Sequence, residues 1–223
     1  MVAAPQFTDE DRRAIAQAVA DAELRSAGEI VPVVAAASDP YERAEDLVGL
    51  FTACLALTGT WLLGQRLVPA SDWEQEHELA LQLPVLLLVV VVGFWLGALL
   101  ARSWPALKRL ALSRRVARAR TLIAAHHAFD ALRVGRTARS TGVVLYVSLL
   151  ERQVCVWADR AVAAKVAESE WARACTLLTE SLRRGLPREG FVAAIAQLGN
   201  VLAQHFPREA DDRNELTNQL HVL

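Results

Sequence analysis

The chain has few lysines and none of the short motifs that mark common enzyme classes. Only two of its 24 basic residues are lysines, Lys108 and Lys165, which indicates a bias in genome composition. Gly-x-Ser-x-Gly, His-Glu-x-x-His, P-loop and dinucleotide-binding patterns are all missing. No reaction type can therefore be inferred from a short motif.

Cysteine is also scarce, and its spacing excludes a common kind of site. Cys54, Cys155 and Cys175 each lie among apolar neighbours, with no Cys-x-x-Cys or Cys/His spacing. A structural zinc site or a disulfide framework requires such patterns. We expect three buried free thiols in a reducing compartment.

The N-terminus lacks the pattern of an export signal. A secretory signal has a basic segment followed by an apolar one, and "MVAAPQFTDEDRR" has neither. We expect this end of the chain to stay in the cytoplasm.

Long apolar runs are what the sequence does contain. Hydrophobic residues make up 53% of the chain, and the mean hydropathy is +0.24. Leu47–Leu63 and Leu79–Ala101 carry no charge, and each approaches the ~20 residues that cross a bilayer. The alternative is a pair of buried helices in a soluble domain. We predict a transmembrane hairpin over 47–101, with spans at about 47–64 and 79–101 and an external loop at 65–78.

The distribution of charge predicts the orientation of this hairpin. The loop 65–78 is acidic, whereas the segment after the second span is basic. Its membrane-surface residues are Arg102, Lys108, Arg109, Arg114, Arg115, Arg118 and Arg120. Because positive residues favour the cytoplasmic side, both termini are predicted to be cytoplasmic, with the protein in a cell inner membrane. The same residues are predicted to contact anionic lipid headgroups, which explains them without a nucleic-acid partner.

Small residues predict how the two spans pack. The second span contains Gly93-x-x-x-Gly97, and the first has small residues on one helical face. Such faces permit close helix contact in lipid, either within the hairpin or between two subunits.

The segments on either side of the hairpin predict one α/β domain. We divide the chain into a first part at 1–46, the hairpin at 47–101, a basic juxtamembrane helix at 102–133, and a second part with a polar tail at 134–223. Glu29–Ala37 is a short strand, Val143–Leu149 and Gln153–Trp157 form a hairpin, and helices follow from Lys165 and Pro187. The predicted fold is an α/β/α sandwich with a small mixed sheet, interrupted by the transmembrane hairpin.

Five segments together resemble a known family. They are "SAGEIVPVV", "STGVVLYVSLLERQVCVWADRA", Trp171, "GLPREGFVAAIAQLG" and "HFPREADDRNEL". They resemble TPM domain proteins, which include thylakoid-lumen acid-phosphatase-like proteins and photosystem II repair factors, and specifically their integral-membrane bacterial branch. The resemblance implies the same sandwich fold, an assembly or repair role, and calcium binding or phosphatase activity in some members.

The predicted topology makes Asp159 the main candidate for a functional acidic residue. Antiparallel return of the second hairpin strand would bring it beside Thr141, so Thr141, Asp159 and Arg160 form the candidate pocket. One interpretation makes Asp159 a ligand for Ca²⁺ or Mg²⁺, with Asp212 and Glu215 from the tail. The other makes it the N-cap of the next helix.

Three hypotheses for function follow from these features. The first is a membrane-anchored accessory or assembly protein whose partner is another membrane protein or a second copy of itself. The second is a metal-dependent phosphatase with an acidic pocket at Asp159. The third is a module that responds to lipids or cations.

Overall fold

The computed structural model describes residues 7–67, 83–104, 106, 112–209 and 214–223. In chain order its helices are α1 (Asp9–Glu23), α2 (Glu42–Leu67), α3 (Leu83–Ser103), α4 (Arg114–Ala131), α5 (Arg160–Ala163), α6 (Glu168–Arg183) and α7 (Pro187–His205). Its strands are β1 (Glu29–Ala35), β2 (Gly142–Ser148), β3 (Gln153–Ala158) and β4 (His221–Val222). The chain divides into two compact units, Pro40–Ser113 and the combination of Val2–Asp39 with Arg114–Leu223.

The second unit is built on a four-stranded mixed sheet in the order β3-β2-β1-β4. β1 and β2 are parallel, with Glu29 opposite Gly142, and β3 returns antiparallel to β2. Helix α1 precedes β1, and the two capping interactions of Thr8 and Asp11 fix where α1 begins. This arrangement confirms the predicted α/β fold with a small mixed sheet.

The sheet separates two apolar layers, as a sandwich requires. On one face, Val143, Leu145 and Val147 of β2 pack with apolar residues of α1, α6 and α7. On the other face, Val144 and Tyr146 pack with the small residues of α4. β1 and β2 are therefore buried on both sides, which explains their nearly continuous apolar sequence.

The C-terminal tail differs from the prediction. It was predicted to be a polar tail, but β4 pairs in parallel with β1 and Leu220 is buried. Leu223 N donates to Val34 O at 2.9 Å, and Ala36 N donates to Leu223 O at 3.2 Å. Backbone pairing recruits this segment, so its polar side chains gave no strand signal.

The basic segment also differs from a continuous helix over 102–133. Helix α3 ends at Ser103, α4 begins at Arg114, and Leu112 and Ser113 between them are not helical. Pro105 in the sequence disfavours helical backbone at Trp104, where the described helix stops.

The first unit contains two helices that are long and apolar enough to cross a membrane. The candidate spans are Glu45–Leu63 and Leu83–Ser103, and only 11% of each apolar window is buried. Predicted residues 79–82 of the second span lie outside the described residues. Large apolar side chains therefore point outward along both helices.

Helices α2 and α3 contact each other through small residues. A Cβ atom added to Gly93 would lie 3.1 Å from Ala53 Cα, and one added to Gly97 would lie 3.0 Å from Gly49 Cα. The Thr52 hydroxyl donates to the carbonyl oxygen of Gly93 at 2.9 Å. The face of α3 that contains Gly93 and Gly97 therefore packs against α2 of the same chain.

Candidate functional site

The candidate acidic site lies at the end of the sheet where β1 and β2 begin. Gly142 starts β2 opposite Glu29, and β3 runs back to the same end. Asp159 N donates to Gly142 O at 2.9 Å, which places Asp159 beside Thr141 and Gly142 as the topology predicted.

Asp159 is the N-cap of helix α5. Its Oδ1 atom accepts a hydrogen bond from Ala161 N at 3.4 Å. Arg160, next in the chain, is exposed. The capping interpretation of Asp159 therefore has direct geometric support.

Thr141 connects neighbouring segments and is itself buried. Its hydroxyl donates to Ala27 O at 2.5 Å, and its backbone N–H donates to Thr137 Oγ1 at 3.1 Å. The side chain of Thr141 thus links β2 to the loop before β1.

The carboxylate of Glu215 also accepts hydrogen bonds from a backbone N–H group. Both of its carboxylate oxygens accept from Ala138 N, at 3.0 and 3.1 Å. Asp212, the third predicted metal ligand, lies outside the described residues. Among the residues the structure describes, no group of three His, Cys, Asp or Glu side chains is placed to hold a metal ion.

The structure adds two buried carboxylates that the sequence analysis did not identify, Glu23 and Glu29. Glu29 Oε1 accepts from Glu215 N at 3.1 Å, and Oε2 accepts from Leu216 N at 3.3 Å. Glu23 accepts from Ile30 N at 3.1 Å and from the Asn214 amide at 2.9 Å. These two glutamates hold the C-terminal segment against the start of β1.

Burial changes the protonation of Glu23. Loss of solvent contact, followed by the nearby carboxylate of Glu29, raises the pKa of Glu23 to about 8. Glu23 ends a helix and Glu29 begins a strand, and both positions are usually exposed. The only feature of the sequence that indicated a buried carboxylate was the position of Glu29, directly before the apolar run "IVPVV".

The opposite end of the sheet carries a second polar network. Glu151 is buried and accepts from Ser38 N at 2.8 Å and from the Ser148 hydroxyl. Burial raises the pKa of Tyr146 in the same region. These contacts join the loop after β1 to the turn after β2.

The predicted membrane-surface basic residues have different environments. Arg102 is exposed at the end of α3, and Arg114, Arg115 and Arg118 are exposed on α4. Arg120 forms an ion pair with Asp39 at 3.1 Å. Lys108 and Arg109 lie outside the described residues.

The three cysteines are free, as predicted, but they are not equally buried. Burial raises the pKa of Cys155 to about 12 and that of Cys175 to about 11, so both thiols resist deprotonation. Cys54 is exposed on α2, and Cys155 and Cys175 are only partly buried, which corrects the expectation of three buried thiols.

Comparison with known proteins supports the fold and no more. No protein-family model and no curated protein matches the chain. The structure is similar to the NMR structure of the BA42 protein from the psychrophilic bacterium Bizionia argentinensis, with a TM-score of 0.58. The match covers 99% of this chain and 98% of that chain at 17% identity. At that identity the similarity shows a shared fold.

Proposed function

We propose that this protein is a membrane-anchored accessory protein that binds or helps assemble another membrane protein. The observation that carries the proposal is the α2–α3 pair, whose outward surface is apolar over two helices of membrane-spanning length. In water such a surface is unfavourable, whereas in a bilayer it contacts lipid or another transmembrane helix.

The topology of the anchor follows from charge. The arginine-rich segment after α3 favours the cytoplasmic side, so the α/β unit and both termini lie in the cytoplasm. Labelling by an impermeant maleimide tests this arrangement in a variant without native cysteines. Ser71→Cys in the loop is expected to react in intact cells, and Asn218→Cys only after lysis. Labelling of Asn218→Cys in intact cells contradicts the topology.

The α/β unit supports a binding role more than a catalytic one. The carboxylates of Glu23, Glu29 and Glu215 accept hydrogen bonds from backbone or amide donors, and that of Asp159 caps a helix. A catalytic site needs acids and bases that converge on the position of a substrate.

We also assign this unit to the TPM-like domains, because the resembling segments supply β1, the β2–β3 hairpin and α7.

Photo-crosslinking in native membranes tests the assembly role. A photoreactive amino acid at Leu96 or Leu55, both exposed on the helix pair, is expected to give one discrete protein adduct. Phe94, whose ring lies against Gly49 of α2, is the matched position at which intramolecular products are expected. Adducts to lipid alone at the exposed positions contradict an assembly role.

The metal-dependent phosphatase is the second candidate, favoured by the position of Asp159 at the end of the sheet where Glu29 also lies. A calcium or magnesium titration of the melting temperature separates the two candidates, because a ligand of the folded state raises stability by mass action. A saturable rise that Asp159→Ala abolishes supports the metal site. The accessory role predicts no such rise.

A further inference from the structure

Helix α4 exposes a broad face that combines arginines with large apolar residues. Its narrow buried stripe consists of small residues and one aromatic: Ala117, Thr121, Ala125, Ala128 and Phe129. On the outside, Val116, Leu122 and Ile123 are 46%, 36% and 48% exposed. Arg115 is exposed on the same side of the helix as Leu122, and Arg114 and Arg118 are exposed at its N-terminal end, on the rows that continue the buried stripe.

The positions of the arginines do not stabilise the helix itself. They lie in the first turns of α4, where the helix dipole is positive and favours acids, yet no acidic residue is present in the first turn. Arg120 is matched by Asp39. The acid on the outer face, Asp130, lies at the far end of the helix and pairs with His126. The first turns therefore present positive charge to an anionic partner.

We infer that the exposed surface of α4 binds the anionic phospholipid headgroups of the membrane in which the hairpin is anchored. Arginine guanidinium groups match phosphate oxygens in charge and geometry. Val116, Leu122 and Ile123 supply the apolar surface that an interfacial helix places at the acyl boundary. This inference rests on the proposed membrane anchoring.

The chain keeps α4 within reach of that surface. Ten residues separate Ser103, the last residue of α3, from Arg114, the first of α4. Even fully extended, a segment of this length spans only about 35 Å. Once α3 is inserted, the local concentration of headgroups near α4 is high, and weak individual contacts suffice.

Hydrogen–deuterium exchange of the full-length protein in lipid nanodiscs tests the inference. One set of discs contains phosphatidylcholine alone, and the other contains phosphatidylcholine mixed with phosphatidylglycerol. Amides of residues 116–123 are expected to exchange about tenfold more slowly in the anionic discs, because bound headgroups stabilise the folded helix. The difference is expected to shrink in high salt, which screens the attraction.

Two triple variants make the test specific. R114Q/R115Q/R118Q is expected to lose the lipid-dependent protection of α4. R173Q/R183Q/R184Q, which removes two exposed arginines of α6 and the exposed arginine that caps its C-terminus, is the matched control and is expected to keep it. R114K/R115K/R118K preserves the charge and is expected to retain most of the protection.

The outcomes separate this inference from the proposed anchoring. Equal exchange of α4 in the two disc types overturns the inference, and so does an equal loss of protection in the α6 control. In either case a protein that has inserted into the discs leaves the anchoring proposal intact. Failure to insert into discs of any composition instead contradicts the anchoring.

Discussion

In the α2–α3 pair small residues face inward and large apolar residues face outward, whereas helix α7 of the α/β unit buries its large apolar residues. Gly93 and Gly97 make the close contacts of the helix pair, while Leu99 is 55% exposed. In α7, Ile195 and Leu198 are fully buried and the polar Asn200 and Gln204 are exposed. The first arrangement suits lipid and the second suits water, so matched substitutions should have unequal effects in the two places.

The largest expected contrast comes from the same leucine substitution in each unit. Leu198→Ala removes a side chain that is 0% exposed and leaves a cavity, so we expect a loss of about 3 kcal/mol in the free energy of unfolding. Leu99→Ala on the outer face of α3 is the matched control, with an expected change within about 0.5 kcal/mol. Denaturant unfolding in mild detergent measures both. Equal losses would mean that the outer face of α3 is buried.

The two units also differ in buried charge, which predicts a dependence on pH. The pKa of Glu23 is raised from 4.5 to about 8, so the folded protein retains a proton that the unfolded chain releases. The free energy of unfolding should therefore fall as the pH rises through this window, by up to about 5 kcal/mol, and become flat above it. Glu29 opposes ionisation of Glu23, and Arg208 favours it.

Glu23→Gln tests this dependence, because it keeps the shape of the side chain and removes the titration. We expect the variant to lose most of the pH slope between pH 5 and about 8. Glu168→Gln, at an exposed position on α6, is the control that should keep the slope. Thermal melts over a pH series provide the measurement. An unchanged slope in Glu23→Gln would show that another group titrates.

Glycines on the two sides of the helix pair should respond differently to alanine. At Gly97 the new Cβ would overlap Thr52 and approach Gly49 Cα to 3.0 Å, so we expect a loss of about 1–2 kcal/mol. At Gly59 no other residue that the structure describes comes within 4 Å of the added Cβ, and alanine should stabilise the helix by about 0.5–1 kcal/mol. Unfolding by titration with a denaturing detergent compares the two variants. A loss at Gly59 would reveal a contact on the outer face.

The smallest effect is expected at Asp159. Asp159→Ala removes a helix cap and should lower the free energy of unfolding by about 1 kcal/mol, whereas Asp159→Asn should retain most of it. Thermal melts of both variants without added metal give the comparison. If Asp159→Asn is as destabilised as Asp159→Ala, the carboxylate charge has a further role.

Most of the elements were predictable because their signals are local. Proline at position 187 begins α7, Gly185 adopts a φ of 77° after α6, and Thr8 caps α1. Each of these depends on the conformational preference of a residue and its near neighbours. The parallel pairing of β1 and β2 followed from the helical crossover connection between them.

The candidate site was less predictable because its partners are distant in sequence. Asp159 was located by topology, but Glu23 and Glu29 meet Asn214, Glu215 and Leu216 across almost the whole chain. β4 was missed for the same reason, since its two residues are a strand only because β1 lies beside them.

The sequence by itself determined the apolar spans, the charge asymmetry around them, the alternation of helices and strands and the caps that bound them. These properties depend on hydrophobicity and backbone preferences, which each segment carries with it. Only the tertiary structure decided that Gly93 and Gly97 are occupied within one hairpin and that two glutamates hold the C-terminal strand. The tertiary structure also decided that Arg114, Arg115 and Arg118 of α4 are exposed. Contacts between distant residues depend on which surfaces meet after folding, and a local sequence pattern does not determine which surfaces these are.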